Sequence, residues 1–180
     1  MPRSMHNKVV FGAMMILMGA VLILSGCSRS PLDSSTTVEQ PKVLKRSADL
    51  SGGIALSPVP YHIDSVISAK EGGTLNLLDV TLEIPPGAVP NDTLFSIDIP
   101  DVSVFYNEFG TDGLVFAKPV KVTMSYRGAD LSGVNESTIR IGWFNERTGQ
   151  WESMVCTVDT VNQVVTGELY HFSAYGLISD

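Results

Sequence analysis

Two short stretches of this 180-residue chain hold groups able to do covalent chemistry. The first is Leu24-Ser25-Gly26-Cys27. Small residues at 25 and 26 leave the backbone open just before Cys27, whose thiol is a nucleophile able to take a covalent group. The second is His171-Phe172-Ser173. In an extended strand His171 and Ser173 share a face while Phe172 points the other way. The imidazole can then take the proton of Ser173 as its oxygen attacks the Phe172 carbonyl, giving an ester and then a cut between Phe172 and Ser173. Such a cut also needs a strained peptide and an oxyanion donor.

The elements around Cys27 are those of an export signal. Arg3 and Lys8 form a positive start, and Val9 to Leu24 is an apolar run of 16 residues. As a helix that run rises about 24 Å at about 1.5 Å per residue, short of the roughly 30 Å hydrocarbon core. Length therefore favours a cleaved signal over a retained span. In this layout Leu24-Ser25-Gly26-Cys27 resembles the cleavage and acylation site of bacterial lipoprotein signals. The resemblance implies removal of residues 1–26 and palmitate-like chains on Cys27, with no other cofactor. Each buried methylene contributes about 0.8 kcal/mol and stable anchoring takes about two such signals, so a multiply acylated Cys27 suffices to hold the protein on a membrane. Ser28 is not the aspartate that retains some lipoproteins in the inner membrane, which points to the outer membrane of a two-membrane cell, or otherwise to the outer face of the plasma membrane.

Removing residues 1–26 leaves 154 residues, one domain's worth. With Arg3 and Lys8 gone, 10 Lys and Arg face 19 Asp and Glu, a formal charge of −9. Phosphate binding wants a basic stripe, so nucleic acid is excluded as a partner, and the acidity reads as a solubility feature. Cys156 is left as a single thiol, expected as a small buried hydrophobe with an intermolecular bridge as the alternative. Only His62 and His171 remain beside it, without zinc-site spacing. There is no calcium loop, phosphate loop or Gly-x-Ser-x-Gly elbow. Asn91-Asp92-Thr93 and Asn135-Glu136-Ser137 fit the N-glycosylation pattern but read as turns.

From Cys27 to Pro60 the chain is rich in Ser, Thr, Pro and mixed charge, and reads as a flexible tether. Some thirty such residues reach about 30 Å root-mean-square. Within it Ile54 to Leu56 could dock as a short strand. Beyond it, over residues 61–180, nearly every segment has period two. Val80, Leu82 and Ile84 alternate with Thr81 and Glu83; Val120, Val122, Met124 and Tyr126 alternate with Lys121, Thr123, Ser125 and Arg127. Further strands are expected at His62–Ala69, Thr74–Leu78, Leu94–Ile99, Val102–Tyr106, Ile139–Asn145, Trp151–Asp159, Val164–Tyr170 and Ser173–Ile178. Gly72-Gly73, Pro85-Pro86-Gly87, Asp112-Gly113, Thr148-Gly149 and Asp159 to Asn162 separate them as turns. Only Leu131 to Glu136 suits a helical turn. The pattern predicts an all-β fold, an antiparallel β-sandwich or partly open barrel. Trp143 and Trp151 flank a hairpin and are expected to pack there, paired across the strands, rather than to form a carbohydrate platform.

The order of these segments is similar to the ZU5 domain of ankyrins, netrin receptors, tight-junction proteins and many bacterial surface proteins. Glu71-Gly72-Gly73-Thr74-Leu75 and Val80 through Pro85-Pro86-Gly87-Ala88-Val89 resemble its opening. Pro119-Val120-Lys121-Val122-Thr123 resembles its central strand, Trp143-Phe144-Asn145 with Gly149-Gln150-Trp151 its aromatic hairpin, and His171-Phe172-Ser173 with Tyr175 its close. The resemblance covers about Ser65 to the C-terminus. It implies a binding or packing role for a non-enzymatic module whose partner is a protein or an envelope polymer. Some ZU5 proteins with this tripeptide, and an unrelated nucleoporin domain, cleave themselves between Phe and Ser. The alternative function is therefore single-turnover self-processing by His171 and Ser173 at the Phe172-Ser173 bond.

Overall fold

The alternation of apolar and polar residues is realised as twelve β-strands in two antiparallel sheets packed face to face, in a computed structural model that describes residues 40–47, 60–111 and 113–180. The fold is the all-β sandwich that the periodicity predicts. The five-stranded sheet runs β10 (Cys156–Asp159), β11 (Val164–His171), β7 (Val115–Ser125), β4 (Val80–Ile84), β3 (Gly73–Leu77). The other sheet runs β2 (Tyr61–Ile67), β5 (Thr93–Ile99), β6 (Tyr106–Gly110), β12 (Ala174–Ser179), β8 (Arg140–Asn145), β9 (Gln150–Ser153), with β1 (Lys42–Val43) on β12 as its seventh strand. Val80, Leu82 and Ile84 point inward with Val120, Val122 and Met124, while Thr81, Glu83, Lys121 and Thr123 stand outside. A ring cluster fills one end of the core: Phe172 meets Phe116 and Phe95 edge-on, at centroid distances of 4.8 and 5.0 Å, and tilts against Phe109 at 5.9 Å.

The chain departs from the predicted elements where two sheets must be joined. Trp151–Asp159, expected as one strand, is two: β9 ends the larger sheet and β10 begins the smaller one. Met154 and Val155 make the crossing, the Met154 N–H donating to the Ile141 carbonyl while Val155 stands 95 % exposed. The alternation slips at Glu152-Ser153 and again at Met154-Val155-Cys156, a slip that a bulge in one strand would also produce. Val102–Tyr106, also expected as a strand, belongs to a strand only from Tyr106 onward; upstream, Phe105 N–H donates to Leu44 O and Val104 bridges Lys45. In place of a helical turn at Leu131–Glu136 there is a short 3-10 turn over Glu136–Thr138, capped by the Asn135 side chain. Asn135 is thus a turn residue, as expected.

Part of the stretch read as tether belongs to the sandwich. Lys42 and Val43 pair with Ser179 and Ile178, taking over the edge of β12 where β6 leaves it at Gly176. Leu44 is buried in the core, and the Arg46 guanidinium reaches both oxygens of Asp79 at 2.9 Å while lying 4.0 Å over the Phe105 ring. An apolar pair and one buried cation are enough to bring these residues in, though too few for any period to register. The signal at 1–26, Cys27, the tether up to residue 39, the strand expected at Ile54–Leu56 and Asp112 lie outside the described residues. Among the described residues no helix is long and apolar enough to cross a membrane.

Candidate functional site

The motif residues, far apart in sequence, converge on one end of the sandwich. β4 must stop pairing at Pro85 and Pro86, which fix φ and lack a donor. Gly87 follows at φ 76°, a region that a Cβ disfavours. Its N–H donates to Ala69 O at 2.7 Å, and the Lys118 ammonium donates to Pro86 O at 2.5 Å. Ala88 O then accepts from Ala117 N–H at 2.9 Å, which fastens the turn to the start of β7. Val115, the first residue of β7, stands opposite His171. The Pro-Pro-Gly turn and the His-Phe-Ser segment thereby share one pole, with the Glu146–Gly149 turn of the β8–β9 hairpin beside them.

His171, Phe172 and Ser173 do not form one extended strand. His171 closes β11 in the smaller sheet, Ala174 opens β12 in the larger one, and Phe172 and Ser173 carry the chain between them. Phe172 is 1 % exposed among the rings, its N–H donating to Leu114 O and its carbonyl accepting from Gly113 N–H. The His171 Nδ1 lies 3.3 Å from that same carbonyl oxygen and 3.5 Å from the Tyr175 hydroxyl. Because the Tyr175 hydroxyl spends its proton on His171 O at 2.9 Å, its oxygen and the Phe172 carbonyl both present lone pairs to Nδ1. That assigns the ring proton to Nδ1 and the basic lone pair to Nε2. Burial pushes the Tyr175 phenol up, keeping it a neutral donor. Among the described residues, no hydrogen-bond partner holds the Ser173 hydroxyl, and its backbone carbonyl accepts from Phe109 N–H at 3.2 Å.

The other residues singled out in the sequence are placed apart from this pole or serve packing. Trp143 stands opposite Glu152 and Tyr175, while Trp151 stands opposite Phe144. The two tryptophans therefore point to opposite faces and do not pair with each other, because the hairpin register sets them one residue out of step. Trp143 packs edge-on to His171 at 5.5 Å; Trp151 lies over Gly176 and meets Tyr106 edge-on at 6.1 Å. Both are half-buried, as packing requires. Cys156 is half-buried against the core, its Sγ 3.4 Å from Ile141 N–H. His62 lies at the far edge strand, with Nδ1 2.5 Å from Asp98 and Nε2 3.4 Å from Asp64. The hydrogen bond to Asp98 is the main cause that holds its pKa above the ordinary histidine value.

Sequence reasoning missed the Arg46–Asp79 pair altogether. It joins the N-terminal segment to the turn between β3 and β4, and both side chains are nearly dry, 2 % and 9 % exposed. Burial pushes the Asp79 carboxyl up, with the Arg46 charge pulling it down without prevailing. No local pattern announces a pair 33 residues apart. Among the described residues no group of three or more His, Cys, Asp or Glu side chains is arranged to hold a metal ion. No protein-family model matches the chain, and no curated protein matches it.

Proposed function

We propose that the chain is a lipid-anchored envelope protein whose ZU5-like sandwich works as a non-enzymatic binding module for a protein or an envelope polymer. The reading begins at Leu24-Ser25-Gly26-Cys27, which follows a positive start and an apolar run too short to span. One geometric observation supports it above the rest: the chain comes into the sandwich at Lys42, beside Ser179, while the Pro-Pro-Gly turn and the His-Phe-Ser corner gather at the opposite end of β12. An anchor on the N-terminal side leaves that pole facing outward, where loops on a rigid scaffold commonly carry recognition.

Metabolic labelling with an alkyne fatty acid tests the anchor. Wild type should take the label and sediment with membranes, and Cys27→Ser should do neither. A photo-crosslinker at Pro86 should then capture a partner that one at Ser132, by the other pole, does not. An unlabelled, soluble wild-type protein would remove the reading.

A second reading, self-processing at Phe172-Ser173, is favoured by the 3.3 Å approach of His171 Nδ1 to the Phe172 carbonyl oxygen. A donor there polarises the carbonyl that Ser173 Oγ would attack. As the Ser173 Oγ–carbonyl carbon bond forms, the hydroxyl proton would pass to the Ser173 nitrogen and the Phe172–Ser173 C–N bond would break, leaving an ester and a free amine. Water would then hydrolyse the ester to the Phe172 carboxylate and restore the Ser173 hydroxyl. Intact-mass analysis under denaturing conditions decides it: cleavage should yield two fragments in wild type and none in Ser173→Ala, and a single uncut wild-type mass after long incubation rejects it.

A further inference from the structure

The outer face of the five-stranded sheet carries hydrogen-bonding side chains in register. Asn76, Thr81, Thr123, Thr166 and Thr157 stand opposite one another on β3, β4, β7, β11 and β10, so a single polar row crosses every strand. Thr81 Oγ1 donates to Asn76 Oδ1 at 2.7 Å, and the Thr123 and Thr166 hydroxyls lie 3.4 Å apart. Threonine suits a solvent-facing strand, which explains each residue singly but not an unbroken row. Beside it runs a second row, Thr74, Glu83, Lys121 and Glu168, with the Lys121 ammonium 2.7 Å from Glu83. Two shallow troughs on this face share Lys121; one reaches Glu71 and Pro85, the other Thr157 and Tyr170. Tyr170 is 58 % exposed, its hydroxyl donating to Glu168 at 3.2 Å.

We propose that this face binds an extended, ribbon-like neutral polysaccharide laid across the strands. The inference rests on the reading of the domain as a binding module and names the class of polymer. Hydroxyls both donate and accept, as does the amide of Asn76, and so match sugar hydroxyls in either sense. Strands repeat about every 4.8 Å, close to the rise of an extended β-1,4-linked sugar, so successive sugars meet successive strands. The Tyr170 ring offers an apolar plane for a sugar's C–H face. Charge selects the polymer: Glu71, Glu83 and Glu168 outnumber Lys121 in the two troughs, a balance that repels polyanions and admits neutral chains.

Native affinity electrophoresis of the mature chain in detergent micelles tests this with hydroxyethylcellulose and carboxymethylcellulose, which share a backbone and differ in charge. The neutral polymer should retard the protein and the anionic one should not. Thr123→Val with Thr166→Val keeps the β-branched shape and removes two hydroxyls, which should weaken retardation about tenfold. Tyr170→Ala should weaken it too, while Ser96→Ala on the other sheet leaves it unchanged; unaltered thermal unfolding certifies each fold. No retardation by the neutral polymer, equal retardation by both, or wild-type behaviour of the double valine variant overturns the proposal. A crosslinked partner at Pro86 together with no neutral-polymer retardation would overturn this face alone and leave the module reading standing.

Discussion

Arg46 and Asp79 are the two residues whose removal should be felt most asymmetrically. Both side chains are nearly dry, and a single guanidinium nitrogen, Nη2 of Arg46, meets both carboxylate oxygens of Asp79. Arg46→Met strands a carboxylate in the interior, an error that costs about 3–5 kcal/mol. With its counter-charge gone, burial of Asp79 is opposed only by a backbone hydrogen bond, and its pKa rises further. A carboxyl whose folded pKa is raised contributes stability below its unfolded value and loses it as pH climbs through the folded one. The variant should therefore be least stable at neutral and basic pH and recover in mild acid. Arg46→Met with Asp79→Leu should return to within about 1 kcal/mol of wild type; urea unfolding of the three proteins checks both statements, and equal losses in single and double variants would refute them. His62 titrates with the opposite partner logic. Raised mainly by its hydrogen bond to Asp98, it supports β2 below about pH 6.5, the usual unfolded value, and this support fades as pH rises through the raised one. In NMR titration Asp98→Asn should bring the His62 midpoint down toward the ordinary value, and an unmoved midpoint would deny the contact that role. None of this was legible in the sequence, since His62 and Asp98, or Arg46 and Asp79, become neighbours only through strand register and a chain reversal.

Strands with a full period announced themselves, and those without did not. β4 and β7 alternate over enough residues that one face must be buried, so Val80, Leu82, Val122 and Met124 were readable as core. The Pro-Pro-Gly turn was equally readable, because two prolines end pairing by their own chemistry. β1 escaped notice because two residues carry no period, and its pairing with β12 is a matter of tertiary fit. The β9–β10 crossing escaped although the alternation slips there, with Glu152 and Ser153 both polar and Met154, Val155 and Cys156 all apolar, because a one-residue slip inside a run also fits a bulge within a single strand. The His-Phe-Ser segment was legible as a motif lying where one expected strand ends, at Tyr170, and the next begins, at Ser173. That the two strands belong to different sheets was not legible, and this crossing sets Phe172 inward and leaves Ser173 outside the ladder. A substitution separates a docked β1 from a tether. Leu44 is 3 % exposed in the core, so Leu44→Ala should cost about 2–5 kcal/mol in denaturant unfolding. A tether residue would tolerate the change, and a shift near zero would mean that β1 does not stay in the sheet.

At the scale of the whole molecule, the docked β1 would shorten the link between the proposed anchor at Cys27 and the sandwich. Were everything up to Tyr61 tether, 34 residues could extend to about 120 Å at about 3.6 Å each. With Lys42 already in the sheet only 15 residues separate it from Cys27, and their full extension is about 54 Å. On the proposed anchoring, the pole holding Lys42, Asp180 and the Ser132–Gly133 turn would face the membrane. The Pro-Pro-Gly and His-Phe-Ser pole would then stand farther off by the length of β12, about 20 Å for six residues. That ordering is measurable in vesicles reconstituted with acylated protein. In a Cys156→Ala background, a donor fluorophore on Ser132→Cys should transfer energy to headgroup-labelled acceptor lipids more efficiently than one on Thr148→Cys. Lengthening the link with a Gly-Ser insert after residue 30 should lower both efficiencies and narrow their difference, since a longer chain lets the domain turn over. Equal transfer from the two sites in the unlengthened protein would mean that β1 fixes no orientation, and greater transfer from Thr148→Cys would put the motif pole against the lipid and reverse the assignment of the outward face.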